Sequence, residues 1–429
     1  MKNNLNLSIG VLGLWHLGLV VSVCLAKSGY KVFGFDLDKR NVDKLNSAKS
    51  PVYEPNLNQQ IKKYLNKNLY FSSDPRWAIK NKTYIFVTLD IPVNDNDEVD
   101  LSSLNTLFDL IVEYASKGTS VVILSQAPIG TTRALIKRLR RLKVIYFPEN
   151  LRLGNAIKDF LNPSRIVLGS DGQEEVEQFL KDFPIFKCKI LKMSVESAEM
   201  VKHALNSYLA TCISFSSELS DLSEKSGANM LDVVKALKTD KRVSPFAPIN
   251  PGLGFAGGTL GRDIQSLRKL ARNKKYKSKL LNAVYSVNQD RLPMLISKIH
   301  SIYPSLKGKS IGILGLTYKP NTNTLRRSMS LELINKLKGK DCKIKAFDPA
   351  AEKNIKQFPF IKISTSIKSF FENLDMVILM TDWPEFKNID PKTVGNLMNE
   401  KIIIDTKNFL DKQKYEKFGF VILRIGEGK

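Results

Sequence analysis

Residues 7–36 constrain the fold most, because they combine a strand, a glycine-rich turn, a helix and a second strand in short succession. An apolar segment leads into the turn Gly13-Leu-Trp-His-Leu-Gly18, a helical segment follows at 19–28, and a second apolar strand ends on Asp36. Parallel strands need a crossover connection, which a helix usually supplies. The pattern therefore predicts a βαβ unit that opens an α/β sheet.

The same pattern starts again at Lys309 and ends at Asp348, so the chain is predicted to contain two such sheets. Helical segments separate further apolar strand candidates, as in a doubly wound parallel sheet. These candidates are Thr83–Leu89, Ser120–Leu124, Val144–Phe147, Met376–Met380 and Ile402–Asp405.

Between the two predicted sheets the pattern changes to helices. Apolar residues recur at helical spacing through Ser197–Lys225, and further helical segments follow at 264–271 and 280–299. We predict an α/β protein with two Rossmann-like doubly wound parallel-sheet domains joined by a helical central domain. The predicted boundaries are 1–190, 191–300 and 301–429, and the helical domain 191–300 is a candidate spine for a homodimer or higher homo-oligomer.

Composition limits the class of protein. Of 429 residues, 43% are hydrophobic and 25% are charged, which is typical of a globular protein. Neither a membrane-spanning apolar run nor a signal-peptide pattern is present, so we expect a cytoplasmic protein that does not bind a membrane. The four cysteines are scattered without CxxC spacing, which favours reduced thiols over a disulfide framework or a zinc site.

The net charge is +24, from 66 basic and 42 acidic residues. Such a charge favours anionic partners, and nucleic acid is one hypothesis. However, the basic residues are spread along the chain and are not gathered into a stripe interleaved with aromatic residues, so nucleic acid is disfavoured. The favoured interpretation is a general enrichment in lysine on solvated faces, and an anionic small substrate is compatible with either interpretation. The three histidines show no metal-ligand spacing, and no metal is expected.

The turn at Gly13–Gly18 predicts a dinucleotide site. Gly13 permits the tight turn, Gly18 permits close packing of helix on strand, and Asp36 can bind both ribose hydroxyls, which favours NAD over NADP. Trp15 stands where a glycine normally lets the backbone approach the diphosphate. A Rossmann-shaped domain without a dinucleotide is therefore the alternative, unless the Trp15 side chain points outward.

Lys202 and Asn206 are four residues apart on the long predicted helix and share one face. An amide and an ammonium side by side suit alcohol oxidation, because the amide orients a hydroxyl and the lysine stabilises an alkoxide or moves its proton. Spacing alone favours a solvated helix face, where such pairs are usual. Glu149 follows a strand at an edge where ligands collect, although a surface glutamate is the alternative. Asp263 beside Arg262 is either an ion pair at a helix start or part of a proton relay.

The segment Asn250-Pro-Gly-Leu-Gly-Phe-Ala-Gly-Gly-Thr-Leu-Gly-Arg-Asp263 is dense in glycine, which lets a backbone approach a ligand closely. It resembles the Gly-Phe-Gly-Gly-Ser-Cys-x-x-Lys-Asp loop of the UDP-glucose/GDP-mannose dehydrogenase family. Other segments resemble the family in the same order along the chain. They are Val52-Tyr-Glu-Pro-Asn-Leu57, Pro148-Glu-Asn-Leu-Arg-Leu-Gly154, Ala198-Glu-Met-Val-Lys-His-Ala-Leu-Asn206, Gly315-Leu-Thr-Tyr-Lys-Pro-Asn-Thr-Asn-Thr-Leu-Arg326 and Asp405-Thr-Lys-Asn408.

The resemblance implies an NAD-dependent oxidation of a UDP-sugar at its C6 hydroxymethyl group, in the synthesis of polysaccharide precursors. It implies catalytic roles for Glu149, Lys202, Asn206, Thr259 and Asp263. It implies cofactor contacts for Gly13, Trp15, His16, Leu17, Gly18, Asp36, Ser125, Gln126 and Arg326. It implies substrate contacts for Leu151, Arg242, Gly254, Phe255, Lys319 and Lys407, with Arg242 reaching the substrate of a neighbouring subunit.

Thr259 stands where the family carries the cysteine that captures the aldehyde for a second oxidation. A hydroxyl ionises far less readily than a thiol and gives a poorer leaving group. Gln126 also departs from the family pattern, where a threonine is usual. We therefore expect a nucleotide-sugar dehydrogenase that performs one oxidation step or two. A protein that binds NAD or a nucleotide sugar without catalysis is the alternative.

Overall fold

The computed structural model describes residues 7–91, 99–139, 142–149, 151–350 and 361–428. The chain divides into two compact units, Met1–Leu205 and Asn206–Lys429. Each unit contains one sheet, and the helical segment in the middle of the sequence groups with the second sheet. The predicted boundary near residue 300 therefore stays a prediction.

The first sheet has the strand order β3-β2-β1-β4-β5-β6-β7-β8 among the described residues. Its first six strands run parallel in the order of a Rossmann fold, as predicted. The β6–β7 pair is antiparallel, so the last two strands, which pair in parallel with each other, depart from a purely parallel sheet. The strands are β1 Ser8–Leu12, β2 Lys31–Phe35, β3 Leu69–Ser72, β4 Tyr84–Val87, β5 Ser120–Ile123, β6 Lys143–Tyr146, β7 Arg165–Gly169 and β8 Lys189–Met193.

Helices cover both faces of this sheet, and alternate strand residues pack into two separate cores. In β4, for example, Phe86 belongs to one core and Ile85 and Val87 to the other. Both faces are therefore apolar, which explains why the central strands appear in the sequence as continuous apolar runs. The helices are α1 His16–Lys27, α2 Lys39–Asn46, α3 Leu57–Tyr64, α4 Pro75–Ile79, α5 Ser102–Tyr114, α6 Thr131–Arg138, α7 Ala156–Leu161 and α8 Gln173–Asp182.

A 32-residue helix, α9 Val195–Ser226, follows β8 and extends from the first unit into the second. The expected single helical segment at 280–299 is instead two helices, α12 Lys279–Gln289 and α13 Arg291–Ile302. Pro293 explains the break, because its ring excludes the carbonyl oxygen four residues earlier, at the end of α12. The remaining helices of this segment are α10 Met230–Thr239 and α11 Leu260–Asn273.

The second sheet repeats the Rossmann order as β11-β10-β9-β12-β13-β14, with every recorded pair parallel. Its strands are β9 Ser310–Leu314, β10 Lys343–Phe347, β11 Ile361–Ile363, β12 Met376–Leu379, β13 Ile402–Asp405 and β14 Val421–Arg424. Its helices are α14 Met329–Leu337, α15 Ile367–Phe371, α16 Pro391–Gly395 and α17 Lys412–Glu416, with a 3-10 turn at Pro384–Asn388. The predicted fold class is confirmed by this second doubly wound sheet. Within the described ranges, no helix is both long enough and apolar enough to span a bilayer.

Candidate active site

The glycine turn between β1 and α1 has the geometry that a dinucleotide requires. Gly13 has φ +95°, and a Cβ on Gly18 would lie 1.7 Å from the Gly13 carbonyl oxygen. Neither position can therefore carry a side chain without a shift of the backbone. Trp15 has an extended backbone, and its side chain is 46% exposed. The residue that departs from the fingerprint thus points its indole away from the core, and the turn fits an NAD diphosphate.

Asp36 lies at the carboxyl end of β2 and is half-buried. One carboxylate oxygen accepts a hydrogen bond from the Leu14 N–H at 2.6 Å, and the other accepts from the Asp38 N–H at 2.8 Å. The carboxylate therefore braces the glycine turn from the position where a ribose would lie. Each carboxylate oxygen has further acceptor capacity, so Asp36 is compatible with the ribose contact that the sequence predicts.

The corresponding turn of the second sheet is closed. Gly315 has φ +92°, and Asp348 follows β10 as Asp36 follows β2. One oxygen of Asp348, however, accepts from the Leu316 and Thr317 N–H groups, the Thr317 hydroxyl and the Trp383 indole, at 2.7–3.1 Å. Because Asp348 is buried under these donors, the second turn lacks the half-open acid that the first turn offers to a ribose.

His16 begins α1 and contacts a residue that sequence reasoning did not single out. Its Nε2 lies 2.8 Å from Glu54 Oε2, and the Glu54 side chain is only 1% exposed. The same carboxylate accepts the N–H groups of Gly154 and Ala156, each at 2.9 Å. The motif Val52–Leu57 contained the signal, since it places an acid before a helix, but nothing in the sequence shows the acid to be buried.

Lys202 lies on α9 and is buried, which excludes the alternative of a solvated helix face. Its ammonium donates to the Glu149 carbonyl oxygen at 2.7 Å and lies 3.3 Å from Glu149 Oε1. Glu149 Oε2 in turn accepts the Leu151 N–H at 2.7 Å. The lysine is therefore held against the loop that follows β6, and Glu149 is not a free surface glutamate.

A cavity of about 350 Å³ adjoins this pair within the first unit. Its wall combines apolar side chains, including Phe147 and Phe160, with Glu149 and the Arg152–Asp159 ion pair. Leu151, a predicted substrate contact, also lines it. A concave apolar space with a few converging polar groups is the usual form of a small-molecule site.

Asn206 and Asp263 form the second buried pair, in the second unit. The Asn206 amide nitrogen donates to an Asp263 carboxylate oxygen, and Asp263 is fully buried. Arg262 lies 3.8 Å from the same carboxylate, so the predicted ion pair is present. The amide orientation is fixed by this contact, which leaves its oxygen on the side away from Asp263.

The glycine loop before α11 is braced by Asn288, which sequence reasoning missed because it lies more than thirty residues downstream. The Asn288 side chain accepts the Phe255 N–H at 2.8 Å and donates to the Phe255 carbonyl at 3.1 Å. Gly254 has φ +76°, and a Cβ there would lie 2.3 Å from the Asn288 oxygen. This glycine is therefore required for the loop to reach its brace.

Thr259 is the residue immediately before α11, and its side chain is exposed and makes no capping hydrogen bond. No cysteine lies in this loop, and the four cysteines are free. Burial raises the pKa of Cys24 to about 12 and also raises the pKa of Cys188 and Cys342. Cys212 packs against the apolar cluster that contains Met230 and Val234, as expected for a core thiol.

A smaller cavity of about 110 Å³ lies in the second unit, between the glycine loop and the end of the second sheet. Gly254, Thr317 and Lys407 are among its lining residues. Burial lowers the pKa of the Lys407 ammonium below its ordinary value, although Asp382 and Asp405 oppose this shift. A cationic group in a small polar cavity is suited to an anionic ligand.

The other predicted contacts are distributed around these features. Ser125 is fully buried after β5, beside half-buried Gln126, and Leu17 is buried in α1. Arg326 lies next to Gly258, where a Cβ would be 3.8 Å from its guanidinium. Lys319 lies over the Tyr318 ring at 5.6 Å. Arg242 is exposed and pairs with Asp240, so within one chain the described contacts do not bring it to the other predicted site residues.

The chain matches models of three domains of one family. They are the NAD binding domain of the UDP-glucose/GDP-mannose dehydrogenase family at residues 7–184, its central domain at 196–290 and its UDP binding domain at 312–412.

The described residues contain no group of three or more histidine, cysteine or acidic side chains that could hold a metal ion.

Similar proteins extend over the whole chain. UDP-glucose 6-dehydrogenase of Rickettsia typhi is 33% identical, and the match covers 98% of this chain and 99% of that protein. UDP-glucose 6-dehydrogenase TuaD of Bacillus subtilis is 30% identical, with 97% and 93% covered. The structure of a UDP-glucose dehydrogenase from Pyrobaculum islandicum superposes with a TM-score of 0.87 at 24% identity, covering 99% and 98% of the two chains, and shows the same fold. The chain therefore belongs to the UDP-glucose/GDP-mannose dehydrogenase family, and it is an NAD-dependent nucleotide-sugar dehydrogenase.

Proposed function

We propose that this enzyme oxidises the C6 hydroxymethyl group of UDP-glucose or a similar UDP-hexose and releases the aldehyde after one hydride transfer. The observation that carries the proposal is the combination of two intact buried pairs, Lys202 with Glu149 and Asn206 with Asp263, and a hydroxyl at position 259. The pairs supply the groups for alcohol oxidation, while Thr259 lacks the thiol that a covalent second step would need.

The UDP-sugar class is supported by the match of residues 312–412 to the family's UDP binding domain. Lys407 in the small cavity of the second unit offers a cation to a diphosphate, and Lys319 and Gly254 are further proposed substrate contacts. The Rickettsia and Bacillus relatives act, by name, on UDP-glucose, which makes UDP-glucose the first substrate to test.

In the proposed reaction, an alcohol and NAD give an aldehyde, NADH and a proton. The Gly13–Gly18 turn would hold NAD, which would supply the hydride acceptor. Lys202 stabilises the developing alkoxide with its ammonium, and Glu149 holds that ammonium in place. Asn206, oriented by Asp263, presents its amide oxygen as an acceptor for the substrate hydroxyl. Lys202 takes the hydroxyl proton as its ammonium passes one of its own protons to the Glu149 carboxylate, 3.3 Å away, from which the proton reaches solvent.

Thr259 accounts for the proposed end of the reaction at the aldehyde. A thiol with a pKa of ~8.5 is partly ionised near neutral pH, whereas a threonine hydroxyl is almost wholly protonated. The thiols of Cys24, Cys188 and Cys342 do not compensate, because burial raises the pKa of each. A second oxidation would then require a hydrated aldehyde without covalent capture.

The test is the ratio of NADH formed to UDP-glucose consumed, together with the mass of the product. We expect a ratio of about one and a product two hydrogens lighter than the substrate, as one hydride transfer requires. A ratio of two with the uronic acid as product would overturn the single-step proposal. Turnover of another UDP-hexose but not UDP-glucose would move the proposal to that sugar.

We also propose a homodimer formed along α9. Tyr208, Phe215 and Leu222 are each more than half exposed and recur every seven residues on this helix. Such a stripe of large apolar side chains is typical of a surface that another chain covers. In the dimer, exposed Arg242 would be available to the partner's substrate.

We propose that each family domain has its own role. Residues 1–190 bind NAD, residues 191–300 form the dimer contact, and residues 301–429 bind the nucleotide of the substrate. The matches at 7–184, 196–290 and 312–412 support these proposed boundaries. We propose a cytoplasmic location, which four free cysteines favour.

A further inference from the structure

We propose that Glu54 and His16 are positioning residues that hold the NAD turn and the Glu149 loop in one hydrogen-bonded unit. The Glu54 carboxylate contacts the His16 ring on one side. On the other side it accepts the backbone N–H groups of Gly154 and Ala156, in the loop that follows Glu149. The part of the inference that concerns NAD rests on the family's NAD binding domain. The part that concerns the nucleotide sugar rests on the proposed function.

The contacts fix which group donates. The N–H groups of Gly154 and Ala156 are donors, so both Glu54 oxygens act as acceptors. An ionised carboxylate has no hydrogen to give, and His16 Nε2 must therefore carry the hydrogen in their 2.8 Å contact. The tautomer and the plane of the ring are thereby set, as occurs when a histidine is held by a carboxylate.

On the cofactor side, this contact secures the first residue of α1. His16 directly follows Trp15 in the turn whose backbone would face the diphosphate of bound NAD, and Glu54 holds the His16 ring from a buried position. The turn thus has two carboxylate braces, because Asp36 accepts the Leu14 N–H at 2.6 Å and Glu54 holds the His16 side chain.

On the substrate side, Glu54 supplies a cap that α7 does not provide for itself. Asn155 precedes α7 but makes no side-chain capping bond, and Glu54 accepts the N–H groups at 154 and 156 instead. These residues follow Glu149 and Leu151, which line the 350 Å³ cavity. The α7 helix also packs against α1, so one buried carboxylate joins both elements.

Two substitutions separate the contact of Glu54 to His16 from its contacts to the N–H groups of Gly154 and Ala156. Glu54→Gln puts an amide NH₂ where three donors converge, whereas His16→Leu removes only the contact to α1. We expect each variant to weaken NAD binding about tenfold, the effect of losing one hydrogen bond to a charged group. The double variant should bind NAD no more weakly than Glu54→Gln alone, because both changes break the same contact. Only Glu54→Gln should raise the KM for the UDP-sugar.

Asp182→Asn is the matched control, since Asp182 is equally buried and hydrogen-bonded in the same unit, with Tyr84 as one donor. It should lower the melting temperature while leaving the NAD dissociation constant unchanged. His16→Gln should recover most of the loss seen in His16→Leu, because its amide can still donate to Glu54. Additive losses in the double variant, or equal losses in Asp182→Asn, would overturn the inference. NAD binding is titrated without turnover, so a failure of the proposed reaction would leave this result interpretable.

Discussion

At the scale of single residues, the proposed reaction depends on a few buried side chains and one exposed hydroxyl. Lys202, Asn206 and Asp263 are buried and paired, although spacing in the sequence allowed a solvated helix face as well. Thr259, by contrast, lies exposed at the start of α11 without a hydrogen-bond partner for capping. In the proposed reaction, the buried pairs handle proton and charge, and position 259, where the family carries a cysteine, offers only a weak nucleophile.

A single substitution tests this view of Thr259. Thr259→Cys restores a thiol in front of α11, and we expect the ratio of NADH to UDP-glucose to rise from about one toward two, since a thiolate can capture the aldehyde for a second transfer. Thr259→Ser, which keeps a hydroxyl, should stay near one. Equal ratios in both variants would show that position 259 does not decide where the reaction ends.

Through Lys407, a rise in pH should change the stability of the protein and its affinity for UDP in opposite directions. The pKa of Lys407 is lowered because burial disfavours its charged form. Between that lowered pKa and the ordinary lysine value, the unfolded chain binds more protons, so the lysine's contribution to stability improves as pH rises. UDP affinity should instead fall as pH rises through the same range, because a neutral amine no longer attracts a diphosphate.

Removing the charge should therefore separate the two properties. We expect Lys407→Met to raise the melting temperature by about 2–4 °C at neutral pH and to weaken UDP binding at least ~10-fold. Lys387→Met, an exposed lysine over the Phe409 ring, serves as the control and should leave UDP affinity unchanged. Calorimetry and UDP titration measure both effects, and tighter or unchanged UDP binding in Lys407→Met would refute the assignment.

At the scale of elements, the sequence predicted what periodic burial determines and missed what single contacts determine. Both βαβ units were predicted within a few residues, because their first strands, β1 and β9, are buried at four of five positions and read as continuous apolar runs. The edge strands β3, β8, β11 and β14 were missed, since they are only partly buried and partial exposure interrupts the apolar pattern. Strand β7 was also missed, although it is mostly buried. The roles of Glu54 and Asn288 were missed because their partners are distant in the sequence, at residues 154–156 and at 255.

A charge in the exposed apolar stripe on α9 tests the proposed dimer. Phe215→Lys places a charge at the middle of the Tyr208, Phe215 and Leu222 stripe, and desolvating that charge in an apolar interface is unfavourable. We expect a shift from dimer to monomer in sedimentation velocity. Val112→Lys, an equally exposed apolar position on α5, should not change the sedimentation coefficient. A wild-type protein that sediments as a monomer would contradict the proposed dimer directly.

At the scale of the whole molecule, the chain carries two sheets that share the Rossmann strand order over six strands and differ in the acid after the second strand. Asp36 is half-buried with two backbone donors, whereas Asp348 is buried and one of its oxygens alone accepts from four donors, including the Trp383 indole. The repeated topology could be read from the sequence. The hydrogen bond from the Trp383 indole that helps close the second turn could not be predicted, because Trp383 lies 35 residues beyond Asp348.

This asymmetry predicts one NAD site per chain. Isothermal titration should give one NAD per chain, and a saturating concentration of UDP should not reduce that number, because the two ligands use different turns. Asp36→Ala should weaken NAD binding, since it removes both the ribose acceptor and the brace of the Leu14 N–H. Two NAD molecules per chain, or competition between NAD and UDP, would contradict the assignment.

The exposed indole of Trp15 has a practical consequence. The chain has three tryptophans, of which Trp383 is buried and Trp77 packs edge-on against Phe33 and Tyr70. Trp15 alone lies in the cofactor turn, so its fluorescence should respond when NAD or NADH arrives beside it. The position that departs from the dinucleotide fingerprint thus provides a natural optical reporter of cofactor occupancy, and Trp15→Phe would silence that signal.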